Sequence, residues 1–219
     1  MTAGARPGRL VVVVGTATDI GKTWVGGQVL SRLRAEGATV AGRKPAQSAA
    51  AGDTGPSDAQ VLATATGEYV TDVCPAHRSY EVAMAPPMAA EVMGRPIPTT
   101  AELLAELRWP SAAIDVGWYE TVGGPRSPIA IDGDAVTFVE ALDPDLVVLV
   151  ADAGLGTINS VLVSLAPFAG RATTTFLNRF DPRDELHRRN LDWLRTREGL
   201  EVHVDLEALC ASVRGEPRT

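Results

Sequence analysis

Four consecutive valines, Val11 to Val14, run into a turn of small residues that ends Gly21-Lys22-Thr23, and a helix-compatible segment follows. A continuous β-branched run suits a strand covered on both faces, as in parallel sheets flanked by helices. Strand, Gly-Lys-Thr turn and helix together form a context that holds phosphate. Backbone N–H groups and the positive helix end surround phosphate oxygens, Lys22 neutralises the outer phosphates, and the Thr23 hydroxyl is a hard ligand for Mg2+. The strict pattern places glycine five residues before Gly21; Thr16 stands there, with Gly15 one step earlier, so the motif is a variant. A chance Gly-Lys-Thr at a helix start is the competing reading, and the flanking strand and helix argue against it.

Further strand-like runs are Ala38–Lys44, Ser111–Glu120, Asp145–Asp152 and Ala172–Asn178. Helical spacing fills the gaps: Lys22–Glu36 closed by Gly37, Asp58–Thr66 capped by Ser57, the AELLAEL segment after Thr100, Ala135–Leu142, Thr157–Phe168, and a polar surface helix in Asp181–Arg197. Strands alternating with helices predict an α/β fold, a doubly wound, mostly parallel sheet with its ligand site at the carboxyl ends of the strands. At 219 residues the chain fits a single domain spanning 1–219, with residues 1–9 expected to be flexible. The segment AAAGDTGPSDA reads equally as a mobile active-site loop or as a plain connector.

A formal charge of −7 disfavours nucleic acid and anionic membrane as partners, since both require a concentrated positive surface. Cys74 and Cys210 lie far apart and outside any metal-ligand spacing, which suits free thiols in a reducing, cytoplasmic setting. The valine run is too short to span a bilayer.

A phosphate loop does not name a reaction, so the remaining chemistry must come from other strand ends. Lys44 ends the second strand, and Pro45 forces it into extended geometry, pointing toward the edge where Lys22 lies. A solvated surface lysine is the alternative. Asp58 and Glu120 are the acidic candidates: with Thr23 they would complete an octahedral Mg2+ site shared with phosphate and water. Each taken alone could be a helix-start charge or a surface residue.

Together these residues resemble the ATP-dependent dethiobiotin synthetase family, whose loop pattern Gly-Thr-x-Thr-x-x-Gly-Lys-Thr is matched from Gly15 to Thr23, including the threonine that spoils the strict form. The family's Lys-Pro-x-x-Ser/Thr segment is similar to Lys44–Ser48, its Ser-Asp-Ala to Ser57–Ala59, its proline-containing loop and helix to Pro75–Ile97, and its Leu-Gly-x-Ile-Asn to the segment ending at Asn159. The resemblance runs from about Val11 to Asn178 and fades after Arg179.

The resemblance implies a P-loop NTPase fold and the ATP-dependent closure of a cyclic urea from 7,8-diaminopelargonate and CO2, in a homodimer, with Mg2+ as cofactor and ATP as co-substrate. It implies ATP contacts from Asp19, Ile20, Gly21, Lys22, Thr23 and Trp24, with Asp58 and Glu120 beside them and Asn178 reading adenine. Lys22 and Lys44 serve the phosphoryl and carbamate charges. Thr23, Asp58 and Glu120 hold the metal, and Thr18, Ser48, Gly123 and Gly124 hold the diamine. Asn159 takes the substrate carboxylate across the dimer interface. One departure stands out: Thr121 and Val122 replace Gly-Ala in the family's Glu-Gly-Ala-Gly-Gly signature, and since a β-branched pair resists φ > 0, a reshaped loop is expected.

Other functions compete. A P-loop switch or partitioning ATPase would place an extra lysine or glycine run at the start of the loop, and Thr16-Ala17-Thr18 has neither. A divergent paralog acting on another amine is suggested by the altered Glu120 loop. His77, His187 and His203 show no spacing for a metal or a triad and read as surface or loop residues, and the four tryptophans read as packing residues. The tail from Arg195 to Leu209 carries no motif.

Overall fold

In the computed structural model, which describes residues 4–215, the chain alternates strand and helix as its hydrophobic pattern requires. The first half contains β1 (Arg9–Gly15), α1 (Lys22–Ala35), β2 (Val40–Arg43), β3 (Gln47–Ser48), α2 (Asp58–Thr66), α3 (Val70–Val73), β4 (Ser79–Tyr80), α4 (Pro86–Val92) and α5 (Thr100–Glu106). The second half contains β5 (Val116–Glu120), β6 (Pro128–Ala130), β7 (Gly133–Asp134), α6 (Ala135–Leu142), β8 (Leu146–Asp152), α7 (Thr157–Leu165), β9 (Thr173–Asn178), α8 (Glu185–Thr196), β10 (Val202–His203) and α9 (Leu206–Arg214).

The central sheet has the order β10-β9-β8-β1-β5-β2, and all its pairings are parallel. From β1 the chain crosses to the β2 edge, returns to β5 and then builds outward through β8. The end of β1 is therefore the point where the winding reverses, which is where open α/β sheets bind ligands.

Alternation along β1 sends Val11 and Val13 into one core and Leu10, Val12 and Val14 into the other. The first core is roofed by Val25, Leu30 and Leu33 of α1, Leu62 of α2 and Leu209 of α9. The second is roofed by Leu103 of α5, Phe138 of α6, Val161 of α7 and Leu194 of α8. Burial on both faces explains why β1 is apolar throughout rather than alternating.

Several expected boundaries move for local reasons. The run Ser111–Glu120 is a strand only from Val116, because the Asp115 carboxylate is turned to accept from the Thr39 amide and hydroxyl, both at 2.7 Å. Thr157–Phe168 is helical to Leu165 and ends in a 3-10 turn containing Pro167, which cannot donate the next hydrogen bond. α2 begins as expected, with Ser57 and Gln60 forming a reciprocal capping box. The tail without a motif supplies β10 and α9. In the stretch expected to be flexible, Gly4 donates to the Trp109 carbonyl and Gly8 to that of Ile114; residues 1–3 lie outside the described residues. Among the described residues no helix is long and apolar enough to cross a membrane.

Candidate functional site

At the carboxyl end of β1 the chain turns back on itself around Lys22. Gly15 permits this: a Cβ there would stand 2.8 Å from Ile20 Cγ2, 2.9 Å from the Ala17 carbonyl and 3.0 Å from Lys22 Nζ. Asp19 adopts φ 57° and Gly21 φ 96°, and a Cβ on Gly21 would collide with the Asn178 amide. Gly21 is the N-cap of α1 and offers no side chain to its first amides. Those amides remain available to an anion, reinforced by the helix dipole.

Strand alternation then assembles the charged groups. Lys44 follows the last residue of β2 and Glu120 is the last of β5, so both point toward the face covered by α1 and α2. Lys44 Nζ lies 2.7 Å from Glu120 Oε1 and 2.7 Å from Asp58 Oδ2, and donates to the Thr121 carbonyl at 3.2 Å. The Thr23 hydroxyl lies 2.8 Å from Asp58 Oδ1 and 2.7 Å from Glu120 Oε1. Lys22 Nζ donates to the Ala17 carbonyl at 3.2 Å. Glu120 is fully buried, and its Oε2 has no hydrogen-bond partner among the described residues.

Burial and neighbouring charge divide the two lysines. Burial, then the nearby Lys44 ammonium, lowers the Lys22 pKa to about 8. Burial also disfavours charge on Lys44, but Glu120 and Asp58 outweigh it and lift this group above the ordinary lysine range. Burial would raise Asp58, yet Lys44 and the Thr23 hydroxyl hold its carboxyl below the usual range.

Two carboxylates and one hydroxyl could hold a hard cation that draws its other ligands from phosphate and water. Among the described residues no group of three or more His, Cys, Asp or Glu side chains is placed to hold a metal alone. The unpartnered buried oxygen of Glu120 is the kind of atom such an ion would satisfy.

In the altered loop Thr121 and Val122 keep the backbone geometry that β-branched residues favour. Neither residue has positive φ; only Gly123 does, at 54°. Thr121 instead fastens the loop, its amide reaching the Val13 carbonyl at 3.0 Å and its hydroxyl the same atom at 2.8 Å. The Gly123 carbonyl accepts from the Gly15 amide at 3.2 Å. A Cβ on Gly124 would lie 3.4 Å from the Thr16 carbonyl, and Thr18 Oγ1 stands 3.6 Å from where a Gly123 Cβ would be.

Other sequence-derived candidates lie farther out. Ser48 donates to the Met84 carbonyl at 2.6 Å, and Asn178 to the Ile20 carbonyl at 2.9 Å. Asn159 is exposed on α7, with no hydrogen bond or ion pair to the Lys44 cluster among the described residues. Trp24 and Trp193 are half-exposed, whereas Trp118 is in the core, so a packing role suits the last and not the first two. His203 is buried on β10 beside Glu201, and His187 accepts from the Asp181 amide on a half-buried helix face. Neither matches the expected surface or loop setting.

Sequence reasoning missed Arg179, which donates to the Asp19 carbonyl at 3.0 Å and stands 3.4 Å from Asp152. It also missed Asn190, whose amide bridges the Ala153 and Gly154 carbonyls at 2.9 Å each and so holds the turn leading into α7. Arg179 could have been suspected from its place directly after Asn178; Asn190 sits in a helix with no motif.

The comparisons agree with this geometry. A model described as an AAA domain matches residues 9–180. An ATP-dependent dethiobiotin synthetase from Haloferax mediterranei is 34% identical over 200 residues, 88% of this chain and 81% of the relative. One from Brachyspira hyodysenteriae is 28% identical over 89% of this chain and 90% of its own length. Among solved structures, the signal recognition particle receptor FtsY from Elizabethkingia anophelis superimposes with a TM-score of 0.52 at 14% identity, covering 97% of this chain and 66% of that one. A plasmid partition protein from Borrelia burgdorferi gives 0.52 at 14% identity, covering 94% and 90%. At such identities the structural likeness shows a shared P-loop fold alone.

Proposed function

This chain belongs to the ATP-dependent dethiobiotin synthetase family, and on that premise we propose a role for each side chain around Lys44. The reaction is an ATP-dependent cyclo-ligation: 7,8-diaminopelargonate and CO2 give a carbamate, its oxygen takes the γ-phosphoryl group, and the second amine displaces phosphate to close the ring. Such chemistry is mostly positioning and charge neutralisation.

Lys44 is the group on which the reading rests. Its support is the single cluster in which one ammonium spans Glu120 and Asp58 while the Thr23 hydroxyl spans the same two carboxylates. With substrates in place, Lys44 gives up one carboxylate and donates to the carbamate and transferring phosphoryl oxygens, where negative charge develops. Lys22, enclosed by the loop, neutralises the outer phosphates, and the free amides of Ile20, Gly21 and the start of α1, with Asp19 and Trp24 at either end, line the triphosphate. Mg2+, held by Thr23, Asp58 and Glu120, supplies further positive charge against the phosphates when bound.

The diamine lies between Ser48, Thr18 and the Gly123-Gly124 backbone, where glycine lets a ligand approach closely. The Gly15 amide, donating to the Gly123 carbonyl at 3.2 Å, holds that backbone beside the phosphate loop. Asn178, with its amide nitrogen on the Ile20 carbonyl, offers Oδ1 to the adenine amino group. Asn159 takes the substrate carboxylate of a second protomer in a homodimer. Its support is α7, which starts without a side-chain cap, with Leu155 in the turn before it at 91% and Val163 on it at 65% exposure. Patches of this kind favour association. A single cytoplasmic domain, residues 1–219, completes the proposal.

Turnover of ATP by purified protein, measured with and without the diamine and bicarbonate and with mass detection of dethiobiotin, tests it. Diamine-dependent product formation is expected. Turnover indifferent to the diamine would favour a P-loop switch instead.

A further inference from the structure

The end of β9 grips the phosphate loop at two successive carbonyls. Asn178 donates its side-chain amide to the Ile20 carbonyl at 2.9 Å, and Arg179 donates to the Asp19 carbonyl at 3.0 Å. The Arg179 guanidinium is itself seated on the end of β8, 3.4 Å from Asp152 Oδ2. The other oxygen of that carboxylate accepts from the Gly154 amide at 2.8 Å.

Both residues joined by the Arg179 hydrogen bond lie in the left-handed region, each at φ 57°. An arginine seldom adopts this geometry, which persists where the surroundings over-determine it. Here it carries the chain out of β9 while the side chain turns back to the loop.

The geometry of the peptide bond converts this grip into a binding property. In a trans peptide the C=O of one residue and the N–H of the next point in opposite directions, and no cis bond occurs among the described residues. A donor on the Asp19 carbonyl therefore fixes the Ile20 amide pointing away from β9, and the donor on the Ile20 carbonyl does the same for the Gly21 amide. Neither amide has a hydrogen-bond partner among the described residues. Successive amides fixed in this way beside left-handed residues form a concave nest for an anion, continuous with the uncapped start of α1. Released from Arg179, the Asp19–Ile20 peptide plane could turn its carbonyl, a negative dipole end, toward the phosphates.

We propose that Arg179 is a positioning residue for the phosphate loop: seated on Asp152, it holds the Asp19 carbonyl toward β9 so that the Ile20 amide faces the polyphosphate. It acts through the Asp19–Ile20 peptide rather than by contact with the nucleotide. This role rests on Gly15–Thr23 being the ATP site, and it holds whichever amine is carboxylated.

Calorimetric titration of sodium tripolyphosphate into the full chain, without metal or diamine, reads the anion affinity of the loop. Saturable binding by the parent protein is expected, and its absence would overturn the ATP-site reading together with this one. Arg179→Asn places a residue that tolerates left-handed backbone but lacks the reach to Asp19. Its affinity should fall by about three- to tenfold, the value of one hydrogen bond, with the thermal midpoint retained. Asp152→Asn separates positioning from charge. Loss of a negative group by itself would favour an anion, yet Arg179 loses its seat, so binding should weaken by about twofold. The Ile20 amide proton should move downfield in NMR spectra when the parent binds tripolyphosphate, and less far in both variants. With binding by the parent intact, unchanged affinity in Arg179→Asn, tighter binding in Asp152→Asn, or an equal Ile20 shift in all three proteins would overturn the role of Arg179 alone.

Discussion

Lys44 meets Glu120 at 2.7 Å across the ends of neighbouring strands, and the carboxylate it neutralises is wholly enclosed. Lys44→Met therefore removes more than a catalytic cation. It strands a buried charge, a change that typically costs about 3 to 5 kcal/mol. Thermal unfolding checks this, and the double variant Lys44→Met/Glu120→Gln should unfold later than Lys44→Met alone. Ring closure should fall by about 100-fold or more in either variant, the scale of losing one preorganised electrostatic group.

Thr121 holds the carbonyl on which Lys44 rests. Its amide and hydroxyl converge on the Val13 carbonyl, so Thr121→Val keeps the shape and one of the two bonds. Unfolding in urea should show a loss of about 1 kcal/mol. Thr121→Gly, which restores the family's residue, should cost more through added freedom of the unfolded chain. Stability and turnover of Thr121→Val matching the parent protein would show that this tether is idle.

How far these features could be read without coordinates depended on whether their cause was local. The β-branched run Val11–Val14, the Ser57 cap and the Gly15–Thr23 loop carry their geometry in neighbouring residues, and each stands where the pattern put it. Lys44, Asp58 and Glu120 were legible as candidates because strand ends and a helix start converge by topology. Thr121 was legible in part: β-branching predicts its negative φ, while its tether to the Val13 carbonyl comes from strand pairing distant in sequence. The bridging amide of Asn190 depends on contacts distant in sequence, with no periodicity to announce them. Short pairings such as β3 with β4 are likewise too brief to leave a pattern.

The enclosure of Lys22 carries a pH-dependent prediction. In the nucleotide-free protein its pKa is lowered to about 8, against 10.5 for an ordinary lysine. Between these values the unfolded chain holds a proton that the folded chain has released. The Lys22 contribution to stability is therefore unfavourable below the lower value and improves as pH rises across the window. Lys22→Met should be at least as stable as the parent at neutral pH, and its stability should rise less steeply between pH 8 and 10.5. Parallel slopes for the two proteins in denaturant titrations would show that Lys22 is not held in this way. Phosphate binding should return the proton, so calorimetry of ATP binding above pH 8 should register proton uptake that Lys22→Met lacks.

Whether Asn159 completes the site of its own protomer or that of a partner is a question that complementation with Lys22 variants decides. Asn159 is exposed on α7, between the exposed Leu155 and Val163 in sequence. Leu155→Arg should disfavour association, giving a smaller sedimentation coefficient and lost ring closure while nucleotide binding persists. Lys22→Met and Asn159→Ala should each be inactive alone. In a C2 dimer formed by mixing the two variants equally, half of the dimers pair one of each, and each mixed dimer contains one site with both side chains intact. Recovered activity should then approach about a quarter of the parent value, as isologous pairing with random exchange dictates. If Asn159 served its own protomer, mixed dimers would leave every site with one defect and no activity would return.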